Sequence, residues 1–368
     1  MNNTPKTVCK VDMCTGCMAC VQKCPRDAIS INDSILSFNA VIDEAKCINC
    51  NQCYNVCQIN HPVDLTEPIS WSQGYANDQE LRKNAASGGA ASAISKAFIG
   101  NGGAVCSCAF FDGDFGFKIA ETTQDLKQFA GSKYVKSNPK DIYKKIDELL
   151  KNKKVLFIAL PCQVAALKKY IKDKQNLYTI DLICHGTPSQ KLLKGYLSQH
   201  KLNLSTLENI SFRRKNQFGL YESGDAFLNG ACDSYTLSFL SALNYTENCY
   251  FCNYARLERV SDITLGDSWG TEIDKSEQEK GISLIMCQTE KGKELISLAD
   301  LYLTDVNRER AIKYNRQLNE PSQKHPKRDK LIVGFKEGKS YDWLICGILT
   351  KSFFKQKIKS LLIRLHLI

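Results

Sequence analysis

Residues 14–25 read CTGCMACVQKCP and residues 47–58 read CINCNQCYNVCQ, so Cys14-x2-Cys17-x2-Cys20-x3-Cys24-Pro25 recurs as Cys47-x2-Cys50-x2-Cys53-x3-Cys57. Three cysteines in one tight loop can each take an iron of one cubane. The fourth falls too far along the chain and reaches a second cubane instead. The spacing therefore assigns Cys14, Cys17, Cys20 and Cys57 to one 4Fe–4S cluster, and Cys47, Cys50, Cys53 and Cys24 to another. Gln58 stands where the repeat would place proline, which weakens the turn preference and leaves the ligation untouched. A zinc ribbon wants two CxxC pairs with a longer gap. Cys9 lies outside both runs and reads as an ordinary small apolar residue.

Residues 9–60 resemble the bacterial two-cluster ferredoxins. The rest of the composition fits a reducing compartment. The chain has 18 cysteines, many in CxxC spacing, and its first residues lack the apolar stretch of a signal peptide. There is no run of eighteen apolar residues, so no membrane-crossing helix is expected, and the expected location is the cytoplasm. The length of 368 residues allows two or three domains, and 43% hydrophobic content allows a real core.

Beyond a linker expected at 61–80, marked by Pro62, Pro68 and Gly74, the texture changes. Ala104–Phe111 reads as a strand, 139–151 as a helix, Lys154–Leu160 as a buried strand, Val164–Ile171 as a helix and Leu177–Ile183 as another buried strand. Asp262–Leu265 and Ser283–Cys287 are short strand candidates. Strand, helix, strand is the order of a βαβ unit. If its strands are parallel neighbours, Cys162 and Cys184 meet at their carboxyl ends, where α/β proteins place ligands. Cys249-x2-Cys252 adds two thiols, and the four together could hold a third 4Fe–4S cluster. Two plainer readings stand beside it: buried thiols at Cys162 and Cys184, and a Cys184–His185 catalytic pair, whose neighbouring side chains should point apart on an extended chain. Cys106 and Cys108 read as core, while Cys232, Cys287 and Cys346 have no partner at useful spacing.

Ser87-Gly88-Gly89 before an apolar helical pattern suits a phosphate, though serine is also a common helix cap. Gly131-Ser132-Lys133-Tyr134, His185-Gly186 and Gly266-Asp267-Ser268-Trp269-Gly270 each read singly as turn or core. Together with Pro161-Cys162-Gln163-Val164-Ala165, Cys184-His185-Gly186-Thr187-Pro188-Ser189, Phe212-Arg213, Cys249-x2-Cys252, Arg259–Gly270 and Gly281-Ile282-Ser283-Leu284, they resemble the coenzyme F420 hydrogenase/dehydrogenase beta-subunit family over about residues 70–320. One departure is Phe218-Gly219-Leu220, where the family pattern has a Gly-Trp pair. The resemblance implies an iron–sulfur flavoprotein oxidoreductase that carries FAD and one further 4Fe–4S cluster. Cys162, Cys184, Cys249 and Cys252 would be its ligands, and Ser87, Gly88, Gly89, Ser132, Lys133, His185 and Asp267 its flavin-site residues. It also implies a redox partner protein or reduced ferredoxin and a small-molecule substrate. The alternative is an electron-transfer adaptor for a partner enzyme, in surface-polysaccharide biosynthesis for example. The expected fold is α+β: a ferredoxin-like module at 5–66, then a larger α/β flavin and iron–sulfur domain at 80–150 and 151–320, and a basic tail at 321–368.

Residues 306–368 carry fifteen Lys and Arg against five Asp and Glu, which accounts for the whole formal net charge of +10. In 350–368, Phe354, Ile358, Leu361, Leu362, Leu365 and Ile368 form a helical stripe beside Lys351, Lys355, Lys357, Lys359 and Arg364. Either this helix packs on the body with a solvated basic face, or it meets an anionic membrane surface. Nucleic acid is not an expected partner, because aromatic residues are not interleaved with the cations.

Overall fold

The computed structural model describes residues 5–222, 225–226 and 232–365. The two cysteine runs fold as copies of one device. Gly16 and Met18 in the first, and Asn49 and Asn51 in the second, take left-handed backbone angles, with φ of 65°, 61°, 54° and 58°. Each run then enters a short helix, Ala19–Lys23 or Gln52–Val56, and leaves it at Cys24 or Cys57 with φ of −72° or −73°. These kinks turn backbone amides toward sulfur: Gly16 N donates to Cys14 Sγ and Asn49 N to Cys47 Sγ, both at 3.4 Å. Between the runs lies an antiparallel hairpin of β1 (Ile29–Asp33) and β2 (Phe38–Ile42).

The remainder is built on an eight-stranded sheet. Its strands are β3 (Ser70–Ala76), β4 (Ala104–Phe111), β5 (Asp114–Ala120), β6 (Val155–Ala159) and β7 (Leu177–Leu182). A separate three-stranded antiparallel sheet holds β8 (Ser211–Arg214), β9 (Gln217–Glu222) and β10 (Asp225–Ala226). The large sheet is completed by β11 (Ile263–Asp267), β12 (Ser283–Cys287) and β13 (Leu301–Thr304), in the order β13-β3-β12-β11-β7-β6-β4-β5. The four central strands β4, β6, β7 and β11 are parallel, and antiparallel strands flank them on both sides.

Alternation along β6 shows why its sequence is apolar throughout. Val155, Phe157 and Ala159 pack toward the helices Ile142–Leu149 and Pro161–Tyr170. Leu156 and Ile158 pack toward the helices Ala90–Gly100 and Glu290–Leu298. A strand covered on both faces needs no polar side. The first of these two cores also takes in Val8, Ala19, Phe38 and Val56, so the cysteine module and the sheet domain share one apolar interior.

The linker expected at 61–80 is corrected by β3, which is paired on both sides, with β12 and with β13. Gly74 was the misleading signal. A Cβ there would stand 1.8 Å from the Tyr302 carbonyl oxygen, so this glycine marks a close strand approach and not a chain break. The five strands expected from the sequence, β4, β6, β7, β11 and β12, lie within two residues of their expected ends.

The expected C-terminal helix forms at Thr350–Arg364. It packs against the helices Ser234–Leu240 and Tyr341–Ile348 through Phe353 and through Gln356, whose side chain accepts from Cys232 N at 3.4 Å. The stripe of Phe354, Ile358, Leu361 and Leu365 is not the packed face; all four are exposed. Ile368 and the Arg364 side chain lie outside the described residues. Among the described residues no helix is long and apolar enough to cross a membrane.

A buried ion pair fixes the centre of the sheet. Arg259 donates to Asp181 Oδ1 at 2.7 Å, to the Tyr254 carbonyl at 2.5 Å and to the Leu182 carbonyl at 3.1 Å, with both charged side chains almost wholly buried. Removing one member leaves the other charge buried and unpaired, so Arg259→Met is expected to cost about 3–5 kcal/mol. Arg259→Met with Asp181→Leu should recover most of that loss in denaturant unfolding; equal losses for the single and double variants would contradict this account.

Candidate functional site

Three groups of cysteines differ in burial. Cys50 is exposed and Cys24, Cys47 and Cys53 are half-buried. Burial, and then the neighbouring Cys24 and Cys47, push the Cys53 thiol up. Cys14, Cys17, Cys20 and Cys57 are buried and line a small cavity. Cys9, which the sequence placed in ordinary core, lines that cavity too, and it holds the Cys57 thiol down to about 6 while its own is pushed far up.

The body cysteines meet as the parallel-strand argument expected. β6 and β7 are parallel neighbours, Cys162 opens the helix Pro161–Tyr170 and Cys184 follows β7. Cys162, Cys184, Cys249 and Cys252 all line one cavity. Burial, and then the neighbouring thiols, push Cys184 up and Cys252 up to about 12. Four thiols gathered in one cavity ionise together only when something positive binds them, which is the chemistry of a metal cluster. Among the described residues no three His, Cys, Asp or Glu side chains close on a single ion. A cubane makes a different demand, since its four thiolates sit on four irons.

Polar groups surround this cavity. Asn248 Nδ2 donates to Cys249 Sγ at 3.7 Å, and the hydroxyl of Thr246 lies 3.5 Å from the same sulfur. Lys136 is 5% exposed, and Cys162 Sγ is its ammonium's hydrogen-bonding partner, at 3.9 Å. Burial alone would pull this ammonium down, but the sulfurs of Cys162, Cys249, Cys184 and Cys17 outweigh it and hold the charge. The backbone beside it is pinned by Lys136 N donating to the Pro188 carbonyl at 2.9 Å and by Gln190 donating to the Lys136 carbonyl at 3.0 Å. No local sequence pattern points to Lys136, because the sulfurs it faces come from other segments.

The two cavities adjoin. Thr15 and Ile59 line both. Gln58, the residue that breaks the repeat, is 1% exposed; it donates to Thr15 Oγ1 at 3.1 Å and accepts from the Tyr254 hydroxyl. A proline there could make neither contact, so the departure from the repeat belongs to the junction.

The seven residues proposed for flavin fall at several places. Ser87, Gly88 and Gly89 start the helix Ala90–Gly100, beside Ile282 at the edge of the sheet where β11 ends. Ser87 Oγ donates to the Ile282 carbonyl at 2.9 Å, and a Cβ on Gly88 would lie 2.5 Å from the Gly74 carbonyl oxygen. Gly89 caps the helix without a side-chain bond, at φ 87°, so the first amides lack a side-chain partner. Asp267 is held by both terminal nitrogens of Arg213, at 2.6 and 2.8 Å, and that guanidinium lies between the rings of Phe218 and Trp269. His185 lines the body cysteine cavity beside Cys184, and burial lowers its pKa, so it stays neutral at pH 7. Ser132 neighbours the Tyr134 hydroxyl. Lys133 turns away and donates to the Phe129 and Ala130 carbonyls at 2.8 and 3.0 Å. The side chains of Ser87, Lys133 and Asp267 are thus already paired within the protein, and the space beside Gly88 is taken by the Gly74 carbonyl and Ser283.

Comparison with known proteins finds matches for two parts of the chain. Residues 13–61 match the 4Fe-4S dicluster domain, and residues 152–305 match the family described as the C terminus of the coenzyme F420 hydrogenase/dehydrogenase beta subunit. The chain joins a 4Fe–4S dicluster region to an F420 hydrogenase/dehydrogenase beta-subunit region. The dicluster match marks residues 13–61 as an iron–sulfur region. A probable ferredoxin of Methanosarcina thermophila is 50% identical over 36 residues, which are 10% of this chain and 57% of that ferredoxin. A chain of the F420-reducing NiFe hydrogenase complex from Methanosarcina barkeri aligns at 20% identity over 69% of this chain and 91% of its own, with a TM-score of 0.48.

Gln58 gives a direct test of the junction between the dicluster and beta-subunit regions. Gln58→Leu strands the Tyr254 hydroxyl and Thr15 without their partner, so it should lower stability by about 1–3 kcal/mol in denaturant unfolding. Unchanged stability would mean that this bridge does not hold the junction.

Proposed function

We propose that this chain is an iron–sulfur oxidoreductase that passes electrons between two 4Fe–4S clusters in the module at 5–66, a further 4Fe–4S cluster at Cys162, Cys184, Cys249 and Cys252, and FAD, to reduce or oxidise a small-molecule substrate. The observation that carries this reading is the wall of Thr15 and Ile59, shared by the cavity of Cys14, Cys17, Cys20 and Cys57 and the cavity of the body cysteines. The set at Cys24, Cys47, Cys50 and Cys53, which reaches solvent at Cys50, would face a redox partner protein or reduced ferredoxin. When bound, the clusters supply one-electron relay and the flavin couples it to two-electron chemistry.

The chain's own residues do the rest. Asn248 and Thr246 orient the Cys249 sulfur, and such outer contacts tune a metal centre. Thr15, Ile59 and Tyr254 close the space between the cavities. The uncapped amides at the start of Ala90–Gly100 would hold the FAD pyrophosphate, with His185 as a neutral group at the cavity wall. In the second reading the chain is an adaptor feeding a partner enzyme, in surface-polysaccharide biosynthesis for example. It is favoured by the internal pairing of Ser87, Lys133 and Asp267, which leaves few free side chains for a flavin.

Anaerobic quantitation separates the two. About twelve irons and one FAD per chain support the oxidoreductase, and about twelve irons without flavin support the adaptor. Cys249→Ser should lose about four irons and Cys50→Ser about four others. Iron content unmoved by Cys249→Ser would remove the body cluster.

Lys136 is expected to set the potential of that cluster. A fixed cation beside it favours the added electron, so Lys136→Met should lower its midpoint potential by tens of millivolts, where about 59 mV is tenfold for one electron. Lys136→Arg should largely restore it. The check is a redox titration followed by electron paramagnetic resonance at unchanged iron content, and an unmoved midpoint would sink the assignment.

A further inference from the structure

The helix Thr350–Arg364 leaves its apolar residues on the outside. Phe354, Ile358, Leu361 and Leu365 stand at i, i+4, i+7 and i+11, so they share one face, and they are 53%, 59%, 54% and 57% exposed. The body side of the helix is a different face, carrying Phe353 against the core and Gln356 bonded to Cys232 N. At 3.6 residues per turn the two faces point in roughly opposite directions. Four large apolar side chains in one outward row exceed the scatter expected of a solvated helix.

The charges next to the stripe name its occupant. Lys351 and Lys357 lie about 60° to either side of Phe354 by helical spacing, and both are exposed, as are Lys355 and Lys359. Among residues 350–364 there is no acidic residue. An apolar row flanked on both edges by lysines is the pattern of a helix lying in a membrane interface. There the lysine stems run along apolar surface while the ammonium groups reach the headgroups. Trp343, on a helix against which this one packs, is 65% exposed, the type of side chain that settles at such an interface. A second copy of the chain would bring the same lysine-edged stripe against itself, cation to cation.

We propose that Thr350–Arg364 docks this protein on a membrane surface rich in anionic lipid, with Phe354, Ile358, Leu361 and Leu365 entering the interface and Lys351 and Lys357 meeting the headgroups. The proposal does not rest on the electron-relay reading, and its test reads no redox activity. The full chain is mixed with phosphatidylcholine vesicles with and without about one-third phosphatidylglycerol, then floated on a density gradient. Binding should be at least about tenfold stronger to the anionic vesicles and should weaken with salt. Lys351→Ala with Lys357→Ala should lose about thirtyfold. Phe354→Glu with Ile358→Glu should fall to background with nearly the same thermal unfolding, since both side chains are more than half exposed. Equal binding to both vesicle types would overturn the proposal. So would a dimer in light scattering that Phe354→Glu dissociates while the wild-type chain ignores vesicles, because the stripe would then belong to a second copy.

Discussion

Arg259 holds together the two halves of the body cysteine set. Its guanidinium bonds Asp181 near the end of β7, two residues before the chain reaches Ile183 and Cys184. The same group bonds the Tyr254 carbonyl, two residues after Cys252. The loop carrying Cys249 and Cys252 is otherwise short of regular structure: a brief 3-10 turn at Glu247–Phe251 and then bends. Without a rigid tie, such a loop could not hold two sulfurs against two others fixed by parallel strands. The tie is costly to build, since a buried pair loses hydration on both sides. It persists because Arg259 also satisfies four oxygens beyond the carboxylate, at Tyr254, Arg256, Leu182 and Thr264.

Burial orders the cysteine groups. The set around Cys50 meets solvent, the set around Cys17 is enclosed, and the body set, with Cys249 buried and Cys162, Cys184 and Cys252 half-buried, shares the wall of Thr15 and Ile59. Exchange with a partner needs an exposed end, and a dry interior protects reduced centres from side reactions. Docking of the module is correspondingly dense. Gln22 Oε1 accepts from Tyr143 N at 2.9 Å at the start of the helix Ile142–Leu149, and Arg328 donates to the Leu36 carbonyl at 2.6 Å while also bonding Glu247. These contacts make the module part of the body and not a tethered appendage.

What the sequence disclosed follows from the range of each interaction. Cluster spacing is a local property, so the eight module cysteines and their repeat could be read from residues 14–57 alone. Parallel strands covered on both faces leave apolar runs, and those runs placed Cys162 and Cys184 side by side. Gly74 misled because a residue type was read without its neighbour, and that neighbour, Tyr302, is remote in the chain. Gln58 could be seen to break the repeat, but its partner Tyr254 lies 196 residues away. Lys136 gave no local sign at all.

Charge is distributed by the same logic of distance. Residues 1–305 are formally neutral before any cluster is counted. Each cubane with four thiolates would add roughly two negative charges, making the cysteine-bearing body an anion. One cation, Lys136, is buried where that charge would be densest, and the strength of its effect comes from the low local dielectric. The remaining positive charge is not spent near the clusters. It sits in residues 306–368, much of it exposed, where water and salt screen it from the interior over roughly a Debye length of 8–10 Å. A basic surface placed there can act on what lies outside the protein without pulling on the potentials within.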